Sequence, residues 1–355
     1  MTPGQISPGE PEGREERDMV EDLPDTGRRV LARQRVETAR RLANGVHVTG
    51  ADDDAIELVS AVVASTPELH YVSQFTYAAP DYTLNTLPEA DRVREASIAR
   101  LSRSLADNMV RLDDELSGAR TGRLIRIFLV ADGGAAYCTE VSAGRHLSAV
   151  SLLEPGPDGS PPFDTARRVD GVTAGLTNQL RRHLGQRPLD YGGWLARAEA
   201  GDAPAAVDCS AGGEPVPPRV EARDSRVAEV CLAHVDCRRL HYVAVYRQGE
   251  EIASVDVMHH PELARFLYGD QTVDDRRRFY AHFGVRIGRY LNDLTLSAEP
   301  AIGPSVRHVA LDVERGAVFF HRLDPSTYLV GVSLDQDEIA SAEQQIAELA
   351  RDLGT

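Results

Sequence analysis

The chain has 355 residues, with 55 acidic against 39 basic side chains and a formal net charge of −16. That balance excludes general nucleic-acid binding, which needs a basic face. Every basic residue is arginine, which excludes a phosphate-loop lysine, a Schiff-base lysine and a pyridoxal anchor. The length predicts two ordinary domains, each able to bury its own core. No apolar run approaches the ~20 residues of a membrane helix, and no signal peptide opens the chain, so a cytoplasmic protein without integral membrane contact is expected. Four cysteines are too few for a disulfide framework. Cys231 and Cys237 lack a zinc-ligand spacing, so buried free thiols in a reducing compartment are expected.

In chain order, residues 1–26 hold hardly any large apolar side chains and read as a disordered acidic tail. Residues 27–48 contain an Arg-rich amphipathic helix, in which Arg33, Arg40 and Arg41 are candidates for contact with an acidic partner. A first domain is expected over 49–198. It opens with a helix capped at Asp52 to Asp54, then a strand Leu69 to Tyr77 and a turn at Pro80-Asp81. Pro88 to Leu116 reads as a long helix striped by Val93, Ile98, Leu101, Leu105, Met109, Leu112 and Leu116. A three-strand meander turns at Asp132-Gly133-Gly134 and Ser142-Ala143-Gly144. A closing helix follows a Pro/Gly loop at 155–162, and Trp194 anchors the tail behind it. Residues 199–222 read as a linker.

The second domain, 223–355, repeats this plan. A strand Leu240 to Arg247 turns at Gln248-Gly249, and Phe279, Phe283, Ile287, Leu291 and Leu294 stripe the next long helix. Gly284 and Gly288 lie four apart there. Glycine costs about 1 kcal/mol in a helix interior, so close approach of another helix is expected. Residues 306–334 form a second meander. Val309, Leu311 and Val313 alternate with His308, Ala310 and Asp312, the period of a half-buried strand, and Ile339, Ile346, Leu349 and Leu353 supply its helical cover.

The two meanders superimpose without a gap. Leu124–Leu152 matches Val306–Leu334 at a shift of 306 − 124 = 182, with Gly134-Ala135 on Gly316-Ala317 and Val150-Ser151-Leu152 on Val332-Ser333-Leu334. Upstream, Leu69-His70-Tyr71-Val72 matches Leu240-His241-Tyr242-Val243 at 240 − 69 = 171. Two blocks in the same order indicate an internal duplication. The fold class is therefore α+β, as two similar α/β sandwiches, each with a five-stranded antiparallel sheet and helices in the order α-β-β-α-β-β-β-α.

That order resembles the roadblock family, the relatives of the dynein light chain. The resemblance covers 224–353 best, through Arg247-Gln248-Gly249, Glu314-Arg315-Gly316 and the Tyr328–Leu334 strand. Residues 53–185 depart from the pattern, because Pro80-Asp81 replaces the usual glycine turn and residues 155–162 are extra. Roadblock domains dimerise by pairing their third strands, with the long helices packed alongside. The resemblance thus implies an internal pseudo-dimer whose interface holds Ile125, Ile127, Leu129, Leu105, Met109, Arg307, Val309, Leu311, Gly284 and Gly288. The chain would then be a monomer or a higher oligomer of such units.

Candidate chemistry is sparse. His259, His260 and Glu262 sit together, but adjacent histidines point apart, and no metal site is expected. His70 and His241 hold equivalent strand positions, which suits a structural bond to backbone. Asp113, Asp114 and Glu115 read as a solvated helix face. No nucleophile elbow, phosphate loop or dinucleotide fingerprint is present, so neither catalytic residues nor a cofactor are expected. The resemblance implies a non-enzymatic scaffold or regulator that binds a small Ras-like GTPase or a signalling complex. Two alternatives stand beside it: a chaperone-like binder of a client protein, and a small-molecule sensor or enzyme with a pocket between the halves.

Overall fold

The computed structural model describes residues 45–48, 53–156, 160–195, 216–267 and 271–354. The first half runs β1 (Gly45–Val48), α1 (Asp53–Ser65), β2 (Tyr71–Thr76), β3 (Ala79–Asn85), α2 (Glu95–Leu116), β4 (Leu124–Ala131), β5 (Gly134–Ser142), β6 (Arg145–Leu152) and α3 (Phe163–His183). The second half repeats it as β7 (Arg219–Ala222), α4 (Ser225–Leu232), β8 (Tyr242–Arg247), β9 (Glu250–Asp256), α5 (Val273–Ile302), β10 (Val306–Val313), β11 (Gly316–Arg322), β12 (Thr327–Ser333) and α6 (Ile339–Gly354).

The fold is α+β, but its strands do not form two separate five-stranded sheets. They form one antiparallel sheet of twelve, in the order β1-β3-β2-β6-β5-β4-β10-β11-β12-β8-β9-β7. The halves meet where β4 pairs with β10. Phe128 faces Ala310, flanked by Ile127 against Leu311 and Leu129 against Val309. Because 310 − 128 equals the repeat shift of 182, the central pair lies on a pseudo-twofold axis. The same symmetry governs the backbone outside the pair. The Asp132 N–H donates to the Ser305 carbonyl at 3.3 Å, and the Glu314 N–H donates to the Arg123 carbonyl at 2.9 Å. An unpaired strand edge is a template for association, and this pairing removes the edge that each half alone would expose at its middle.

Each half carries one strand more than expected. Residues 45–48, placed by sequence in the Arg-rich helical segment, pair with β3, and residues 219–222, placed in the linker, pair with β9. Both are four-residue outer strands, too short to display a period. The remainder of residues 27–48, including Arg33, Arg40 and Arg41, lies outside the described residues, as does the 1–26 tail.

The first hairpin also differs from expectation. Its turn is Tyr77-Ala78, with φ of 48° and 64°, while Pro80 and Asp81 belong to β3. Gln248-Gly249 occupies the matching place (248 − 77 = 171) with φ of 54° and 81°. Both pairs adopt the left-handed conformation of a two-residue hairpin turn. Only the second contains the glycine that normally marks one.

Helices cover both faces of the sheet. One core gathers α1, α3, α4 and α6 against Phe128, Val130, Ala310 and Phe319; the other gathers α2 and α5 against Ile127, Leu129, Val309 and Leu311. Each core draws on both halves, so β10 is buried on both faces rather than half-buried, and His308 and Asp312 are interior side chains. The cysteine expectation is corrected in part. Cys138 and Cys231 are buried free thiols, but Cys237 is disulfide-bonded.

The register makes Ile127 and Leu311 direct neighbours across the seam. A doubly substituted Ile127→Cys/Leu311→Cys protein is expected to crosslink within one chain of monomeric mass, read by light scattering and non-reducing peptide mapping. A crosslink joining two chains would mean that β4 and β10 pair between protomers.

Candidate functional site

The residues expected at the seam divide between the two faces of the sheet. Leu105, Met109, Ile127, Leu129, Val309 and Leu311 share the core under α2 and α5. Ile125 does not join them. An irregularity between the Asp312 and Val313 pairings turns it to the opposite face, against Ala174 and Tyr191. Arg307 is more exposed and ties the halves through Asp132, Nε to Oδ1 at 2.8 Å. Helices α2 and α5 touch through Tyr290, whose hydroxyl donates to Glu115 at 2.8 Å, and through Arg286, paired with the same carboxylate at 3.0 Å.

Gly284 and Gly288 are not where another helix approaches. A Cβ at Gly284 would collide with the Tyr246 side chain, and the atom nearest a Cβ at Gly288 is the Tyr328 hydroxyl. These tyrosines rise from the sheet, stack at 5.0 Å and donate to the carbonyls of α5, Tyr246 to Ala281 at 3.2 Å and Tyr328 to Gly284 at 3.0 Å. The small residues admit sheet side chains to the helix backbone.

The densest group of ionisable side chains lies at the seam on the other face. Arg126 of β4 is fully buried. Its Nε and Nη2 donate to the Asp170 carboxylate of α3 at 2.9 and 2.8 Å, and its Nη1 donates to both oxygens of Asp312 of β10 at 2.9 and 2.8 Å. One guanidinium thus holds two carboxylates from opposite halves in the fork geometry that favours Arg over Lys. Two further donors complete the cage: Trp194 Nε1 to Asp170 at 2.7 Å, and the Gly192 N–H to Asp312 at 2.6 Å. Gly192 has φ of 67°, and a Cβ there would press on Arg126 and Trp194, so glycine lets the segment behind α3 close over the cluster.

The duplication exposes an asymmetry. The repeat equivalent of Arg126 is His308 (308 − 126 = 182), whose Nε2 lies 2.9 Å from Glu343 of its own closing helix α6. Both halves therefore secure a central-strand side chain with an acid from the last helix. The equivalent of Asp312 is Val130 (312 − 182 = 130), which faces His308. The buried Arg126–Asp312 bridge therefore has no repeat-equivalent counterpart.

Glu343 also pairs with Arg167 at 3.4 Å and lies 3.9 Å from Arg126. Three carboxylates thus share two guanidinium groups. Burial raises Asp170 and Asp312 above the usual carboxylate range against the pull of Arg126, with Asp312 reaching about 7. Burial alone would raise Glu343 too, but the His308 hydrogen bond and the Arg126 and Arg167 charges outweigh it and hold it at about 2. The cluster is closed to solvent, presents no nucleophile and has the form of a lock between strands and closing helices.

The remaining candidates have structural roles or none. The Nδ1 atoms of His70 and His241 accept the backbone N–H of Leu152 and Leu334, at 3.2 and 2.9 Å, which are repeat-equivalent bonds. Burial lowers both imidazole pKa values, which keeps Nδ1 available as an acceptor. His259 bonds the Pro217 carbonyl and Arg277, and His260 caps the short helical turn at 261–266. Among the described residues no group of three or more His, Cys, Asp or Glu is arranged to hold a metal ion, and no helix is long and apolar enough to cross a membrane. A cleft of about 450 Å³ between the halves is lined by Asp132, Gly133 and Pro155 on one side and Glu299 to Pro304 on the other. Asp132 is already committed to Arg307 there. Set against family models, curated proteins and solved structures, the chain matches none.

Three outcomes follow from these contacts. Arg126→Met leaves Asp170 and Asp312 buried without their counter-charge and is expected to lower stability by about 3–5 kcal/mol in urea denaturation. Asp312 binds its proton more tightly folded than unfolded, so its contribution is full below pH 3.8 and is lost as pH rises towards 7. Glu343 acts oppositely: its contribution is full above pH 4.5 and is lost as pH falls towards 2. The urea midpoint is therefore expected to be higher at pH 5 than at pH 7.5, and Asp312→Asn is expected to flatten that difference. Gly284→Ala is expected to cost about 1–3 kcal/mol through collision with Tyr246, with partial recovery on adding Tyr246→Phe.

Proposed function

We propose that the protein is a non-enzymatic scaffold or regulator, built as an internal roadblock-like pseudo-dimer, that binds a small Ras-like GTPase or a signalling complex on the paired helices α2 and α5. The observation that carries this reading is the seam. Two copies of one unit join through β4 and β10 into a single sheet, with their longest helices side by side on one face. In roadblock dimers the third strands pair in this way.

The outer surface of the helix pair supports a protein partner. It presents Arg100, Arg103, Arg111, Arg278, Arg286 and Arg289, interspersed with exposed Val110, Val285 and Leu296. Exposed carboxylates on the same helices are equal in number, at Glu95, Asp107, Asp114, Asp274, Asp293 and Glu299. In a chain of net charge −16 this is a surface of balanced sign, and its arginines orient an acidic partner surface. The most concentrated ionisable groups, around Arg126, are sealed from solvent, which suits a structural element. The client-chaperone reading has less support. It calls for a continuous apolar groove, and the exposed large apolar side chains are spread over separate elements, from Tyr77 and Val93 to Val220 and Leu232.

The test is retrieval of a small GTPase or a defined complex from the source cell by the tagged full chain. Arg103→Glu/Arg289→Glu is expected to weaken that binding about tenfold with an unchanged melting temperature. Retrieval of neither partner, or binding indifferent to the two charge reversals, overturns the proposal.

A further inference from the structure

A second polar site lies away from the seam, where α5 begins beside the outer strands β9 and β7. A cleft of about 480 Å³ opens there, lined by Arg219, Tyr242, Glu251, Ser254, Asp256 and Arg277, among others. Most of its charges are already matched. Arg277 grips Asp256 with two bonds, at 2.6 and 2.8 Å, and reaches Asp274 at 2.9 Å. Arg219 donates to Glu221 at 2.6 Å and lies 3.5 Å from Asp274.

Two groups remain uncommitted. Glu251 accepts a bond from the Ser254 hydroxyl at 2.7 Å but has no cationic partner among the described residues. Tyr242 lines the cleft and is 3% exposed, and its hydroxyl has no hydrogen-bond partner among the described residues. The neighbouring Tyr246 hydroxyl donates to the Ala281 carbonyl. An unmatched buried hydroxyl is costly, and beside an unneutralised carboxylate it marks a place for a donor.

The first half serves as an internal control. At the equivalent positions it has Tyr71 for Tyr242, Asn85 for Asp256 (256 − 85 = 171) and Glu95 for Arg277 (277 − 95 = 182). The duplicated framework is common to both halves, whereas the Asp256–Arg277 lining belongs to the second alone.

We propose that this cleft binds a small molecule through a primary amine, whose ammonium group donates to the Glu251 carboxylate and the Tyr242 hydroxyl oxygen. The Arg277–Asp256 pair acts as a rigid wall, and the exposed Arg278 at the rim offers a contact for a carboxylate at the far end of an amino acid. The site does not depend on a GTPase or any other protein partner.

The experiment is isothermal titration of the full chain with putrescine, a pure cation, and with 4-aminobutyrate, a zwitterion. A saturable single-site isotherm with either is expected, and the stronger of the two identifies which kind of amine the rim favours. Glu251→Gln, a half-exposed change that spares the core, is expected to weaken binding by about tenfold or more. Tyr242→Phe is expected to weaken it about fivefold while leaving the melting temperature of the free protein unchanged or higher, because it removes an unsatisfied group. Absence of saturable binding by both amines to the folded protein, or an isotherm unaltered by Glu251→Gln, overturns the proposal.

Discussion

The antiparallel contact between β4 and β10 is the constraint on which the rest of the structure depends. It turns two copies of one unit into a single sheet and places both cores astride the seam, so neither half owns the apolar surface that covers its middle strand. The long helices α2 and α5 are brought side by side as a consequence. Their contact through Glu115, Tyr290 and Arg286 is polar and peripheral beside the apolar contact of Ile127, Leu129, Val309 and Leu311.

Arg126 adds specificity to that contact. Apolar strands can slip, and a slip of one residue exchanges the two faces of a strand. A buried guanidinium that must meet Asp312 across the seam and Asp170 on the closing helix is satisfied in one register only. Buried ion pairs often contribute little net stability because desolvation offsets their attraction. The value of this one lies in the cost of every arrangement that separates its members. His308 and Glu343 repeat the strand-to-helix bond on the other side, where the residue facing His308 across the seam is the apolar Val130.

The two halves have drifted apart around a retained frame. Histidines at 70 and 241 hold the same backbone bond, and the left-handed hairpin turns stand at the same place with different residues. Differences gather where the frame does not need a given side chain: at the seam cluster, at the cleft by Tyr242, and at Gly284, where Tyr246 fills space above the helix. A duplicated chain can assign its two copies different surfaces, and the Arg-bearing helix pair and the Glu251 cleft are two such surfaces.

The sequence by itself determined the local elements and their repetition. Alternation at Val309, Leu311 and Val313, helical spacing at Phe283, Ile287 and Leu291, and the matched blocks at 124–152 and 306–334 are properties of short stretches, legible because strand and helix periods are local. The outer strands at 45–48 and 219–222 were not legible, being too short to show a period, and the Tyr77-Ala78 turn lacks the glycine that signals one. Arg126, Asp312 and His308 look like the solvent face of half-buried strands, since a sequence does not state that helices cover both faces. Glu251 and Tyr242 lie in one strand pair with nothing to mark them until α5 and β7 close around them. Tertiary structure decided these sites, because burial and pairing of charge depend on what the rest of the chain places beside a residue, and that is not written in the residue's own neighbourhood.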